Sequence, residues 1–369
     1  MIVVSNVART KPTCLFGLII FSLFFCVVTA QAMVTGDCSN CHSMHNSQDG
    51  KAVTEGTSEP YQSLTVDSCV GCHSDSSNNT IKSLGGNSRV PIVFNGNEPT
   101  YPPDGSSSST LAGGNFYWVA QGDDSKGHNV YGISDADATL KFAPGRSTQC
   151  SPCHDTLATA DSGCQGCHLP AHHADDSGVV VDAAGGSYRF LGDLMSRVFY
   201  YPDSGNGVKG IEDADWEQSP SSTRHNTYAG TSSSYSMEFG NFLDTSSIGQ
   251  FCSGCHGNFH HLMNSEPGSL DGAWIRHPSD VVLPDDPDGE YKYYTNYNPL
   301  TPVGKPDLDA GMKNSPVVVP GTDVVTCISC HRPHGSPYPD MLRWDYENCE
   351  VGVSNSECGC FVCHTQKDD

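Results

Sequence analysis

Seven copies of the pattern Cys-x-x-Cys-His constrain this chain more than any other feature. They use fourteen of the 18 cysteines in its 369 residues. Two thiols three positions apart reach the two vinyl groups of one haem, and the adjacent imidazole then lies under the iron. Zinc knuckles do not require a histidine after every second cysteine, and a disulfide framework would not produce one seven times. The pattern therefore predicts seven covalently attached c-type haems.

The cysteines of the motifs are expected to form thioethers, and the histidines that follow them are expected to be proximal iron ligands. The cysteine pairs are Cys38 and Cys41, Cys69 and Cys72, Cys150 and Cys153, Cys164 and Cys167, Cys252 and Cys255, Cys327 and Cys330, and Cys360 and Cys363. The proximal histidines are His42, His73, His154, His168, His256, His331 and His364.

Nine further histidines are available for the second axial position of seven haems. An iron held by two imidazoles has no open position for a substrate, so this supply favours electron transfer over catalysis. Histidines that closely follow a proximal histidine are expected to serve a neighbouring haem; they are His45, His172, His260 and His334. The predicted distal ligands are His45, His128, His172, His173, His260, His277 and His334, with His225 and His261 as the spares.

The first 32 residues are typical of a secretory signal. Arg9 and Lys11 precede an apolar run from Cys14 to Val28, and Ala30 and Ala32 match the small residues of a cleavage site. A membrane span needs about 20 apolar residues, so cleavage is favoured over a retained anchor. We expect residues 33–369 to form a single exported seven-haem unit with no membrane span.

The composition predicts an unusual interior. Residues of the AVILMFWYC group make up only 37%, whereas there are 38 glycines and 23 prolines. A chain short of core-forming side chains and rich in turn formers does not build a large core of its own. We expect a mostly irregular fold with short helices and few short strands, wrapped around a stacked chain of haems. Within it, Thr110 to Ala120 is expected to include a short strand and Pro202 to Thr231 to be a loop.

The net charge of −23 excludes a sequence-independent nucleic-acid binder, which needs a basic surface. The acidic run from Asp285 to Glu290 partly matches a calcium loop, and Ca²⁺ is a possible second cofactor there. Pro287 and the missing late glutamate weaken that match, so a solvated acidic turn is favoured.

Cys349 and Cys358 remain after the seven motifs and the two cysteines of the expected signal segment, Cys14 and Cys26, are counted. In an exported protein we expect them to form a structural disulfide that closes a short loop. The alternative is a longer Cys-x4-Cys-His attachment that begins at Cys358 and leaves Cys360 unused.

Stretches in and around the motifs carry a more specific resemblance. They include Cys38 to Ser47 (CSNCHSMHNS), Gly113 to Val119 (GGNFYWV), Lys126 to Asn129 (KGHN), Tyr188 to Gly192 (YRFLG) and Cys327 to His334 (CISCHRPH). In these segments the chain resembles the extracellular multihaem nanowire cytochromes, in particular the six-haem outer-membrane cytochrome S type.

The resemblance implies subunits that polymerise head to tail into a conducting extracellular filament. It implies that His45 ligates a haem of the next subunit, with other cytochromes as electron donors and metal oxides or electrodes as acceptors. The motif Cys164 to His168 is additional to a six-haem pattern, so the ligand pairing between residues 150 and 173 stays open. The alternatives are a monomeric periplasmic electron shuttle and, less favoured, a multihaem reductase of small oxyanions; we expect no enzymatic activity.

Overall fold

The computed structural model describes residues 42–48, 51–52, 59–60, 69–85, 88–101, 110–140, 142–145, 157–159, 163–168, 188–191, 207–230, 246–256, 259, 279–308 and 310–368. The chain divides into Met1–Gln31 and Ala32–Asp369, and every described residue belongs to the second unit. The expected signal segment, residues 1–32, lies outside the described residues.

Helices in the described ranges are short, and most coincide with a Cys-x-x-Cys-His motif. They are α1 (Val70–His73), α2 (Tyr117–Ala120), α3 (Ile248–Ser253), α4 (Cys327–Cys330) and α5 (Gly359–Cys363). Turns of 3-10 helix occupy Asp124–Lys126, Cys164–Gly166, Tyr188–Phe190, Ala310–Met312, Pro339–Met341 and Tyr346–Asn348. None of the helices in these ranges has the length and apolar character that crossing a membrane requires.

Side-chain caps fix where two of these helices begin. The Oγ of Ser247 accepts the amide of Gln250 at 3.2 Å, which satisfies one of the first N–H groups of α3. Before α4, the amide of Thr326 donates to the Oγ of Ser329 at 3.0 Å, the reciprocal half of a capping box. Both helices carry haem motifs, so the caps place the first cysteine of each motif.

Strands are equally short. They are β1 (Ser47–Gln48), β2 (Lys51–Ala52), β3 (Ser74–Asp75), β4 (Ile81–Gly85), β5 (Ser88–Pro91), β6 (Phe94–Asn95), β7 (Gly210–Ile211), β8 (Thr227–Ala229), β9 (Val281–Val282), β10 (Gly304–Lys305) and β11 (Val324–Val325). The largest sheet has the order β7-β8-β10-β11-β9. In it β8 and β10 are parallel and the other pairs antiparallel, with Gly304 opposite both Tyr228 and Val324. Since β11 leads directly into α4, this sheet positions the motif at Cys327.

The apolar side chains form several small clusters. One lies around the large sheet and α3: Tyr188, Leu191, Val208, Tyr228, Ile248 and Ile328. A second is rich in tyrosine and valine: Leu283, Tyr294, Tyr297, Val303 and Val318. A third joins α2 to the loop after it: Phe116, Val119 and Val130. The short helices and strands, with the apolar side chains divided among small clusters, confirm the expected mostly irregular fold with short helices and few short strands.

Two local expectations were wrong. The segment from Thr110 to Ala120 contains the helix α2 and isolated bridges, because Trp118 and Val119 are buried by a helical turn. The expected loop from Pro202 to Thr231 contains the strands β7 and β8 in its described part. Strands of two or three residues are too short to produce a visible alternation of apolar side chains.

Candidate haem-binding site

Every Cys-x-x-Cys-His motif that the structure describes in full forms one helical turn. In each, the amide of the histidine donates to the carbonyl oxygen of the first cysteine. These contacts are His73 to Cys69, His168 to Cys164, His256 to Cys252 and His331 to Cys327, each at 3.0 Å, and His364 to Cys360 at 2.8 Å. In a helical turn, residues three positions apart lie on the same face. The two thiols of a motif therefore face one common partner, as two thioether bonds to one haem require.

The Nδ1 atom of most described proximal histidines lies against a backbone carbonyl oxygen. The pairs are His73 with Pro91 at 2.7 Å, His168 with Arg189 at 2.8 Å, His256 with Pro144 at 2.7 Å and His331 with Asp340 at 2.7 Å. A carbonyl only accepts, so Nδ1 carries the proton and donates. Nε2 then holds the lone pair that binds a metal. The residues fit haem iron as proximal ligands.

Two of these carbonyl groups come from residues with a left-handed backbone. Arg189 has φ 49° and Asp340 has φ 58°, and each lies within a 3-10 turn. Residues other than glycine rarely adopt this conformation, and it concentrates at functional sites. Sequence reasoning did not find these acceptors, because a backbone carbonyl leaves no signal in side-chain chemistry.

His364, in the last motif, has a different partner. Its Nδ1 is 3.2 Å from the Oε1 of Glu290. Burial alone would raise the pKa of Glu290, but the hydrogen bond with His364 and the charge of Lys367 outweigh it and lower this pKa. The carboxylate is therefore ionised at neutral pH and accepts the Nδ1 proton. Sequence reasoning placed Glu290 in a solvated acidic turn and missed this contact.

Two pairs of imidazoles from distant segments lie close together. The ring centroids of His168 and His334 are 6.1 Å apart, and those of His128 and His256 are 6.0 Å apart. An imidazole nitrogen lies about 2.0–2.1 Å from a bound metal, so two rings on opposite sides of one ion have centroids about 6 Å apart. Both pairs have the spacing of two axial ligands of one iron.

The protonation of these rings also suits metal binding. Burial lowers the pKa of His256 and that of His331 below the usual value of an imidazole. Burial, with the nearby charges of His168 and Arg189, lowers the pKa of His334 to about 3. Rings with such pKa values are neutral at neutral pH, which is the form that binds a metal.

Motifs far apart in sequence lie side by side. The thiols of Cys69 and Cys164 lie close enough to shift each other's pKa. The thiol of Cys327 likewise raises the pKa of Cys252, which links α3 to α4. In the sequence, only three pairs of consecutive motifs begin close together: those at Cys38 and Cys69, at Cys150 and Cys164, and at Cys327 and Cys360. Contacts of the second and fourth motifs, and of the fifth and sixth, add neighbours that sequence spacing does not reveal.

His225, a spare in the sequence reasoning, has the environment of a core residue. It is 2% exposed, and its ring stacks on that of Tyr297 with centroids 3.6 Å apart and planes 12° from parallel. Its Nδ1 is 2.8 Å from the carbonyl oxygen of Asn226 and its Nε2 is 3.1 Å from that of Ser315. These contacts account for a structural role.

The remaining candidate ligands divide into exposed residues and residues that the structure does not describe. His42 and His45 are exposed, and His45 has a left-handed backbone with φ 55°. The following candidates lie outside the described residues: Cys38, Cys41, Cys150, Cys153, His154, His172, His173, His260 and His277. The spare His261 lies there too.

The two leftover cysteines form the expected disulfide. Cys349 and Cys358 are bonded, with their Cα atoms 5.4 Å apart. With Cys360 they make the only group of three candidate metal ligands within the described ranges, their sulfurs all within 4.8 Å of one another. Because two of these sulfurs are bonded, the group is not a metal site. The carboxylates from Asp285 to Asp288 are exposed and form no such group in the described part of the chain.

Known proteins share the Cys-x-x-Cys-His motifs of the chain. A family model described as a doubled CXXCH motif matches residues 31–78 and 319–369, which hold the first two and the last two motifs. The C-type cytochrome OmcS of Geobacter sulfurreducens is 24% identical over 84% of this chain and 78% of its own length.

Two solved structures are also similar. An outer membrane cytochrome S filament from Geobacter sulfurreducens has a TM-score of 0.49 and 19% identity, over 88% of this chain and 87% of that one. The OmcS nanowires of the same organism have a TM-score of 0.49 and 18% identity, over 91% of this chain and 93% of that one. In its helical Cys-x-x-Cys-His turns, in the doubled motifs at both ends and over most of its length, the chain is similar to the multihaem c-type cytochrome OmcS.

Proposed function

We propose that the chain carries seven c-type haems, each ligated by two histidines, and that it polymerises head to tail into a conducting extracellular filament. Electrons enter from other cytochromes and leave to insoluble or remote acceptors such as metal oxides or electrodes. The long similarity to OmcS, whose solved structures are filaments, supports the assembly.

One observation carries the electron-transfer role: the opposed imidazole pairs His168–His334 and His128–His256, with centroids 6.1 and 6.0 Å apart. These histidines would hold a haem iron, and the haem would supply a one-electron carrier. These histidines hold the iron and leave no room for a substrate, which favours electron transfer over a reductase. By this proposal His334 serves the haem of the motif at Cys164, and His128 serves that of the motif at Cys252.

The geometry around His45 supports its role as a ligand between subunits. Its side chain is exposed, in a tight turn where Met44 and Ser47 exchange backbone hydrogen bonds at 3.0 Å. Asn46 beside it also has a left-handed backbone and is buried, so the turn is anchored. An exposed histidine on an anchored turn supports a ligand role toward a haem of another subunit.

Electron microscopy of secreted material tests the filament. We expect filaments from the wild-type protein and monodisperse particles from the His45→Ala variant, with an unchanged haem content by mass spectrometry. His225→Asn is the matched control, because that histidine lies in the core. Only monodisperse particles from the wild type would favour the monomeric periplasmic shuttle. Normal filaments from His45→Ala would contradict the role between subunits.

Electron paramagnetic resonance of the ferric protein separates the wire from the reductase. We expect only low-spin signals, since every iron has two imidazole ligands. A high-spin signal from one iron would indicate an open coordination position and would favour the oxyanion reductase.

A further inference from the structure

The proximal histidines of the fully described motifs differ in what their Nδ1 atom meets. Four face a neutral backbone carbonyl oxygen at 2.7–2.8 Å. The fifth, His364, faces the carboxylate of Glu290 at 3.2 Å. Within the described motifs, the last haem position is therefore the one whose proximal ligand contacts a full negative charge.

A carboxylate on Nδ1 changes the ligand more than a carbonyl does. It attracts the Nδ1 proton more strongly, so the imidazole becomes a more basic donor at Nε2. A more basic donor stabilises ferric iron relative to ferrous iron, and hydrogen bonds to the iron's ligands are one means by which proteins set haem potentials. The expected direction is a lower reduction potential.

The surrounding contacts hold Glu290 in place. The backbone amide and the hydroxyl of Thr365, the residue after His364, both donate to the carbonyl oxygen of Glu290, the amide at 2.7 Å. The ring of Tyr291 packs against that of His364, with centroids 5.2 Å apart. The carboxylate and the imidazole are about equally shielded, at 26% and 27% side-chain exposure. The contact between Glu290 and His364 is thus held by the fold and is not a loose ion pair of two exposed side chains.

A nearby cation moderates the effect. The Nζ of Lys367 lies 3.5 Å from the Oε2 of Glu290, on a side chain that is 49% exposed. It competes with His364 for the charge of the same carboxylate. Because the lysine is the more exposed partner, water screens its charge. The attraction between the Glu290 carboxylate and the Nδ1 proton of His364 therefore persists.

We infer that Glu290 is a positioning residue that acts through His364 and gives the haem of the last motif a lower potential than the haems of the other described motifs. This inference rests on the proposed ligation of a haem by His364. Since each subunit has this motif once, a filament would repeat this low-potential step in every subunit. Among the haems of the described motifs, that haem would take up an electron last and release it first.

A redox titration of the holoprotein tests the inference. Glu290→Gln keeps an oxygen acceptor for Nδ1 but removes the charge. We expect one of the one-electron components to move upwards, with its ferrous-to-ferric ratio at a fixed potential rising about tenfold, which is about 59 mV for one electron. The low-spin ferric signal of a single haem should change at the same time.

Two further variants make the test specific. Asp288→Asn removes the same charge from an exposed residue of the same turn and should leave the component nearly unmoved. Lys367→Gln removes the competing cation and should move the component downwards. An unmoved component in Glu290→Gln, or equal shifts in Glu290→Gln and Asp288→Asn, would overturn the inference.

Mass spectrometry of the peptide that contains Cys360 and Cys363 separates this result from the broader proposal. A haem on that peptide with an unmoved component rejects only the role of Glu290. A wild-type peptide without haem rejects the seven-haem proposal, and the inference with it.

Discussion

The carbonyl oxygen of Pro333 accepts a hydrogen bond from Nδ1 of His128 at 2.7 Å, across 205 residues of sequence. The ring of the neighbouring His334 lies 6.1 Å from that of His168, and His331 is the proposed proximal ligand of its own motif. One short segment thus reaches three proposed haem positions. A disturbance of this segment is expected to affect more than one haem.

Removing His334 tests the proposed pairing directly. We expect His334→Ala to leave one of the irons with a single imidazole, and that iron to become high-spin or able to bind carbon monoxide. The haem content should not change, because thioether attachment needs only the motif itself. Electron paramagnetic resonance and carbon monoxide difference spectra provide the measurement. Uniformly low-spin iron in the variant would contradict the pairing.

Gly114 lies against the same segment, beside Gly335. It has φ +88°, and a Cβ there would lie 2.0 Å from the carbonyl oxygen of Gly335. That oxygen accepts the amide of Asn115 at 3.0 Å. Gly122 has φ +90° and nothing within 4 Å of its Cβ position, so it is a matched control.

Alanine at either glycine costs about 1–2 kcal/mol for the left-handed backbone. We expect Gly114→Ala to cost about 2 kcal/mol more, since the Gly335 carbonyl must move. Chemical denaturation of the two holoproteins measures the difference. Equal stabilities would show that the carbonyl has room to move.

The buried ion pair of Lys305 and Asp323 joins β10 to the start of β11. Their side chains are 7% and 2% exposed, and Lys305 also donates to the carbonyl oxygen of Val317 at 2.8 Å. We expect Lys305→Met to destabilise the fold by about 3–5 kcal/mol, because it leaves a buried carboxylate without its cation. Calorimetry of thermal unfolding measures this loss.

Combining Lys305→Met with Asp323→Leu should recover part of the stability, since the uncompensated charge is gone. Recovery should be incomplete, because Asp323 also accepts the amide of Val319 at 2.9 Å. A double variant no more stable than Lys305→Met would contradict this explanation.

The disulfide between Cys349 and Cys358 is expected to protect haem attachment at Cys360. In Cys349→Ser the thiol of Cys358 is left within 4.8 Å of Cys360, where the two can be oxidised to a wrong disulfide by a disulfide-donating oxidoreductase. We expect a fraction of this variant to lack one haem by mass spectrometry.

The double variant Cys349→Ser with Cys358→Ser removes both competing thiols. It should keep its full haem content, with a loss of about 2–3 kcal/mol of stability from the missing bridge. Equal haem loss in the single and double variants would mean that the bridge acts through the fold rather than by removing competing thiols.

Local patterns predicted the part of the site that is built locally. The turn from Cys327 to His331 depends on residues within the motif, so its spacing is enough to predict it. The position of His334 near a proximal histidine also indicated a neighbouring haem. Which haem it serves depends on the tertiary contact that brings His334 beside His168, and no short pattern encodes that.

Other features had no sequence signal that pointed to them. The carbonyl oxygens of Pro91 and Pro144 orient proximal histidines, yet any residue has a carbonyl. Glu290 was visible only as one more acid in an acidic turn, because its partner His364 is far away in sequence. The chemistry of a residue is readable from the sequence when its partner is near in the chain, and much less so otherwise.

The helical turn of each motif has a consequence for how the protein is made. Its hydrogen bond from histidine to cysteine lies within five residues, so it needs no other part of the chain. Haem can then be attached while the newly made polypeptide is still unfolded. His128, in contrast, comes close to His256 only after distant segments of the chain have packed together. We therefore expect maturation in a fixed order. The thioether bonds form first, and the second histidine binds each iron only when the chain has folded.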